Sequence, residues 1–227
     1  MPSGRQLGQV LRADLDGISV QISGLCGTGL IKSKLVGDFN SENLLLALGV
    51  LFAWDVSMAD ACEVLSSCWT PPGRMEVFGG SSDAPWVIID YAHSPTALEN
   101  TLTCLNRYSA AETWCVFGCG GERDPGKRPL MGAVAAKLAD HVVLTNDNPR
   151  SEGPGEIIAQ IFSAITSHPD VIVEHDRKRA IVNAIGAASS GDVVLIAGKG
   201  HEVLQEIGQQ RHPFSDRSVV EAAMEGR

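Results

Sequence analysis

Residues 113–150 read TWCVFGCGGERDPGKRPLMGAVAAKLADHVVLTNDNPR. A short apolar run, 114–118, meets a glycine-rich polar turn. An amphipathic stretch of helical length follows at 127–139, and a second apolar run at 141–145 ends on another polar cluster. Two Val-rich runs separated by a helix are the pattern of a strand, a crossover helix and a parallel strand. Working outward, the same alternation continues on both sides. Further strands are expected at 86–90, 171–174 and 193–197, and further helices at 95–108, 155–167 and 177–189. Continuous apolar strands imply a sheet covered on both faces, and right-handed crossovers make it doubly wound. The expected class is therefore α/β, with a doubly wound, mostly parallel, Rossmann-like sheet.

Before residue 73 the pattern differs. Gly17 to Ser23 alternates apolar and polar side chains, as a half-buried strand does. GDFNSEN at 37–43 leads into an apolar helix expected at 44–54, and a second helix is expected at 55–68. Thr70-Pro71-Pro72-Gly73 is a strong breaker. It divides the chain into residues 1–70 and 71–227, and the first part reads as a domain cut midway.

Composition removes several classes. With 44% hydrophobic and 20% charged residues the chain is globular rather than disordered. A net charge of −9 argues against nucleic acid as a partner. The longest apolar run, 44–54, is too short for a membrane span, and no signal peptide opens the chain. Six cysteines, Cys26, Cys62, Cys68, Cys104, Cys115 and Cys119, form no CxxC pair. Buried, reduced thiols and a cytoplasmic location are expected.

The unusual residues stand where strands end, which is where ligands bind in such folds. Gly118-Cys119-Gly120-Gly121-Glu122-Arg123-Asp124 lacks the third glycine of GxGxxG, so it is not a dinucleotide fingerprint and a nicotinamide oxidoreductase is disfavoured. Alone it reads as readily as an ordinary turn, but Arg123 suits a carboxylate or phosphate. Asp147-Asn148-Pro149-Arg150 alone reads more readily as an Asn-Pro turn. Its carboxylate, amide and guanidinium nevertheless match an amino acid zwitterion. Gly198-Lys199-Gly200-His201-Glu202 has no GxxxxGK[ST] and is not a Walker A loop. It is a tight turn or a backbone approach to a ligand, with Glu202 receiving an amine. Asp90-Tyr91-Ala92-His93 offers a carboxylate for ribose hydroxyls and a histidine for phosphate. No other His, Asp or Glu stands at a ligand spacing from His93, so no metal ligand is expected. The catalytic residues stay unassigned.

Taken in order, GDFNSENLLLAL (37–48), GRMEV (73–77), DYAHSP (90–95), GCGGERDPGKRPLMG (118–132), DNPR (147–150) and AGKGHE (197–202) resemble the Mur ligase family. DNPR is similar to the mark of its members that use meso-diaminopimelate. The resemblance covers about residues 15–222. It implies that residues 1–70 end a central ATP-binding domain and that 71–227 form the carboxy-terminal domain. It also implies an ATP- and Mg2+-dependent ligation of meso-diaminopimelate to UDP-N-acetylmuramoyl-L-alanyl-D-glutamate, through an acyl phosphate, in peptidoglycan synthesis. Arg123, Asp147, Asn148, Pro149, Arg150, Gly198 and Glu202 would hold diaminopimelate, with Arg150 on its distal carboxylate and Glu202 on its distal amine. Asn40 would contact adenine; Arg74, Asp90 and His93 would face the ribose and phosphates of ATP. The family's GxxGKT loop, magnesium carboxylates and UDP-binding domain have no counterpart here. The expectation is a chain that does not turn over alone and takes a missing amino-terminal half of the ligase as partner. The competing reading is a non-catalytic module that binds diaminopimelate or a nucleotide.

Overall fold

The computed structural model describes residues 7–24, 26–80, 82–109, 111–165, 168 and 170–226. The chain forms two compact units, Met1–Pro71 and Pro72–Arg227.

In the first unit β1 (Leu7–Asp14), β2 (Gly17–Gly24) and β3 (Gly27–Ser33) form an antiparallel meander. The alternation in β2 turns Ile18, Val20 and Ile22 to one face, where they are buried with Ile31. Leu44 and Leu48 of α1 (Phe39–Ala53) and Ala61, Cys62 and Leu65 of α2 (Met58–Ser66) close that core. α1 starts five residues before the expected 44, so most of GDFNSEN is helical. The reason is a local bond: the Asn40 side chain donates to Val36 O at 2.8 Å and its N–H to Gly37 O at 2.9 Å, which winds the first turn. α2 starts later than 55, because Asp55 is left-handed (φ 59°) and Ser57 caps the helix by accepting from Asp60 N at 3.2 Å.

The second unit is a six-stranded sheet in the order β4-β5-β9-β6-β7-β8. β5 (Trp86–Asp90), β6 (Thr113–Phe117), β7 (His141–Leu144), β8 (Val171–Val173) and β9 (Val193–Ala197) are parallel, and edge strand β4 (Glu76–Gly79) is antiparallel. The α/β, doubly wound, mostly parallel class stands. β9 pairs with both β5 and β6, and all five of its residues are buried. α6 (Arg177–Ala187) and α7 (Asp216–Glu225) pack on one face through Ile181, Ile185, Val219 and Val220. The alternate side chains, such as Ile88 and Leu195, point the other way. There α3 (Pro95–Tyr108), α4 (Lys127–Leu138) and α5 (Pro154–Phe162) bury Leu98, Leu102, Met131 and Ile161. α5 stops at Phe162, short of the expected 167; Thr166 and Ser167 lie outside the described residues.

β4, α7 and the hairpin β10 (Leu204–Ile207)–β11 (Gln210–Pro213) were not expected from sequence. The hairpin had a readable signal, the two-residue loop Gly208-Gln209 with Gly208 at φ 59°. Four of the six cysteines are buried, but Cys26 is exposed and Cys68 half-buried. Cys26 lies just past β2, beyond the apolar positions that would cover it. Among the described residues no helix is long and apolar enough to cross a membrane.

Candidate functional site

The chain leaves β5 over the top of β9 to reach β6, so neighbouring connections diverge at the carboxyl ends of these strands. A crevice at such a reversal is the usual ligand position in doubly wound sheets. Here it is an open cleft of about 360 Å³. Arg123, Asp147, Asn148, Arg150, Gly198, Glu202 and His93, seven residues expected from sequence, line it together with Tyr91 and Lys127.

Two loops form its floor. Gly121 N donates to Asn148 O at 2.9 Å, joining the loops after β6 and β7. A β-carbon at Gly121 would strike the Pro149 carbonyl. At Gly198 the backbone is left-handed (φ 111°), and a β-carbon would lie 2.9 Å from Asp147 Oδ2. Glycine there lets the turn after β9 approach the carboxylate. Pro149 is buried and shapes the turn rather than lining the cleft.

The polar groups are tied to one another in a fixed pattern. Lys199, fully buried, donates to Asn148 Oδ1 (2.9 Å), Glu202 Oε2 (2.8 Å) and Leu204 O (2.8 Å). Three acceptors satisfy its three N–H groups, which is how a buried ammonium is tolerated. Asn148 donates to the same Glu202 Oε2 at 2.8 Å. Its amide is therefore largely engaged within the protein, where a ligand contact was expected. Burial raises the Glu202 carboxyl, but the bonds from Lys199 and Asn148 outweigh it and hold the group below its usual value. Oε2 is occupied, which leaves Oε1 for a cationic ligand group.

Asp147 is shifted the other way. Burial pushes its carboxyl up, against the opposing charges of Arg177 and Lys199. Arg150, also left-handed (φ 52°), donates from Nε to Glu206 Oε2 at 2.9 Å and from Nη1 to Gly121 O at 2.7 Å. Three of its five N–H groups are left for a ligand. Arg123 is exposed at the rim; the bond found for it is a long one to Glu122 O, 3.5 Å.

The residues expected at a nucleotide are less concentrated. Both Asp90 oxygens face protein donors: Met75 N (2.9 Å), Ala92 N (2.9 Å) and Thr101 Oγ1 (3.4 Å). Burial raises this carboxyl, and it lies under the loop rather than in the cleft. By holding Met75 it places Arg74, whose guanidinium sits 4.7 Å from the centre of the Tyr91 ring. His93 faces the cleft, bonded through Nδ1 to Tyr91 O at 2.9 Å. Lys127 donates to His93 O at 2.8 Å. Asn40 belongs to the first unit, its amide tied to Val36 O.

Sequence reasoning missed the supports. Arg128, buried in α4, holds Glu152 at 2.8 Å and Gly120 O at 3.2 Å under the glycine-rich loop. Arg177 and Asp216 form a fully buried two-bond pair, and Arg177 also donates to Ala197 O at 3.0 Å, just before Gly198. A GKG turn gives no local sign that Lys199 is buried.

Residues 73–200, the span carrying every lining residue of this cleft except Glu202, match the family described as Mur ligase, glutamate ligase domain. The chain belongs to the Mur ligase family. Among curated Mur ligases it is 46% identical over 215 residues to the UDP-N-acetylmuramoyl-L-alanyl-D-glutamate–2,6-diaminopimelate ligase of Parasynechococcus marenigrum (strain WH8102), covering 93% of this chain and 43% of that protein. It is 48% identical over 198 residues to the enzyme of the same name from Pseudomonas aeruginosa (strain PAO1), covering 87% of this chain and 40% of that one. A solved structure of a UDP-N-acetylmuramoyl-L-alanyl-D-glutamate–2,6-diaminopimelate ligase superposes with a TM-score of 0.75 at 36% identity, over 100% of this chain and 46% of the other. The chain thus spans less than half the length of these relatives.

Proposed function

We propose that the cleft binds meso-diaminopimelate and presents it for ATP-dependent amide ligation to UDP-N-acetylmuramoyl-L-alanyl-D-glutamate, a step of peptidoglycan precursor synthesis. The observation that carries this reading is the split of charge within one cleft: Arg150 and Arg123 offer N–H groups while Glu202 and Asp147 offer carboxylate oxygens. A ligand with two carboxylates and two ammonium groups needs donors and acceptors together. Arg150 takes the distal carboxylate and Glu202 Oε1 the distal ammonium. Asp147, Asn148, Gly198 and Arg123 complete the pocket, and Pro149 keeps the turn in shape. The amino group left outside these contacts attacks the acyl phosphate of the second substrate, forming the amide and releasing phosphate and a proton.

The relatives' names supply the substrates; this chain's residues supply the amino acid end. Tyr91, Arg74, His93 and Lys127 suit the ribose and phosphates of a nucleotide, with Asp90 holding Arg74 in place. Magnesium fits less well: among the described residues no group of three or more His, Cys, Asp or Glu could hold a metal ion. Phosphoryl transfer depends on such charge neutralisation, so this step is assigned to the part of the ligase that the chain does not match. Residues 1–70 are read as the end of its central domain. From Leu44 on α1 is apolar on all sides, yet its Leu46 and Val50 are 72% and 45% exposed, as for a helix that packs in a larger core.

Titration calorimetry with meso-diaminopimelate and with lysine tests the assignment, because lysine lacks only the distal carboxylate. Arg150→Ala leaves that carboxylate unpaired and is expected to weaken diaminopimelate binding by about 2–5 kcal/mol, with lysine unaffected. Equal effects on both ligands, or none, would remove the assignment of the amino acid.

A further inference from the structure

Glu206 of β10 lies outside every motif that defined the cleft, yet it makes three bonds to the turn that carries Arg150. Its N–H donates to Asn148 Oδ1 at 3.0 Å, its C=O accepts from Arg150 N at 3.1 Å, and its Oε2 accepts from Arg150 Nε at 2.9 Å. Its other carboxylate oxygen accepts from Arg211 Nε at 3.1 Å, from the residue paired opposite it in β11. The hairpin is itself anchored to the same turn, since Gly208 N donates to Arg150 O at 2.7 Å.

We propose that Glu206 is a positioning residue that sets the choice of amino acid, by fixing the Arg150 guanidinium where its remaining N–H groups meet a carboxylate on the distal carbon of the ligand. This rests on reading the cleft as a diaminopimelate site. An untethered arginine loses rotamer freedom when it binds; one already held at Nε and Nη1 loses far less. Pairing with Glu206 alone would neutralise Arg150 and weaken its pull on an anion. Arg211 on the second oxygen leaves the trio with a net positive charge, so order is gained without losing the attraction. Arg211 itself is largely exposed and is free to act as this counter-charge.

The test uses the full chain and four variants: Glu206→Ala, Glu206→Gln, Arg150→Ala and the Glu206→Ala/Arg150→Ala pair. Calorimetry gives the ratio of affinities for meso-diaminopimelate and lysine. Glu206→Ala is expected to lower that ratio about tenfold by weakening diaminopimelate alone. Glu206→Gln, whose amide oxygen still accepts from Arg150 Nε, keeps part of the preference. The double variant is no worse than Arg150→Ala, since both act through one contact. If Arg150→Ala abolishes the preference and Glu206→Ala leaves it intact, or if the two losses add, the role of Glu206 is overturned while the cleft assignment survives. If Arg150→Ala changes nothing, or the unsubstituted chain binds neither amino acid, the cleft assignment falls and this proposal with it. A ligand-free measurement covers an alanine variant that fails to fold: the Arg150 Nε–H resonance is expected to be sharp and slow to exchange, and to broaden in a fifth variant, Glu206→Leu, which keeps the bulk of the side chain and has no acceptor for that N–H. A resonance equally sharp in both proteins would overturn the tether.

Discussion

Both ends of the parallel sheet in the second unit carry polar side chains, and the two ends use them differently. At the amino ends they close on one another. His141 lies between Asp170 on Nδ1 and Glu112, 2.9 Å from Nε2, and stacks on Trp114 with ring centres 3.9 Å apart. Asp140 and Asp192 accept from the N–H groups of Thr113 and Glu112 where β6 begins. At the carboxyl ends the polar groups surround open space, and buried cations stand behind them: Lys199, Arg128 and the Arg177–Asp216 pair. Polar residues that satisfy each other stabilise. Polar groups held short of mutual satisfaction, such as Glu202 Oε1 and the outer N–H groups of Arg150, remain open to a further partner. The position of the supporting charges separates the two cases more clearly than the number of charged residues does.

The comparison breaks most visibly at the buried pair. Asp216→Ala leaves the Arg177 guanidinium without its counter-ion in a fully buried place. Unfolding in urea is expected to show a loss of about 3–5 kcal/mol; a loss below about 1 kcal/mol would mean that the pair does not support the carboxyl end. A change of opposite sign is expected in the cleft. The Asp147 carboxyl is raised above its ordinary value of 3.8, first by burial. The unfolded chain therefore gives up this proton at lower pH than the folded one, and ionisation destabilises the fold above that range. Asp147→Asn is expected to gain on the order of 1 kcal/mol at neutral pH, with the gain vanishing in strong acid and amino acid binding lost. A destabilised Asp147→Asn protein would place this residue with the structural groups of the opposite end.

The smallest effect is expected at the amino ends. Burial opposes the charge on His141, but its bonds to Glu112 and Asp170 win and raise it above the ordinary 6.5. Its contribution is thus complete below that value and is lost as pH rises through the raised one. Both carboxylates are substantially exposed, so screening limits the step to under about 1 kcal/mol. Urea unfolding on either side of the transition, in the wild type and in His141→Gln, measures it. An unchanged pH profile in the variant would detach stability from this cluster.

Much of this was legible beforehand. The five parallel strands and the helices between them follow from runs of Val, Ile and Leu set against amphipathic stretches, a signal carried by neighbours in the chain. Four polar clusters at strand ends located the cleft, because strand ends are where such sheets bind ligands. The short edge strand β4, the hairpin and α7 were not seen. Glu76–Gly79 is only four residues, and the hairpin's strands are largely exposed with no apolar face to read.

Local signals in the chain set the order of the five parallel strands and the helices between them, the loops that carry chemistry and the family resemblance, since periodicity, turn residues and motif spacing all lie along the chain. No local signal shows that β9 lies between β5 and β6; the packing of the folded chain decides it. The same packing decides that Lys199 holds Asn148 across 51 positions, and that Glu206 holds Arg150 across 56. Those contacts depend on which strands pair and which side chains lose water together. A charged residue in a loop does not reveal whether it will be solvated or buried; the packing around it does.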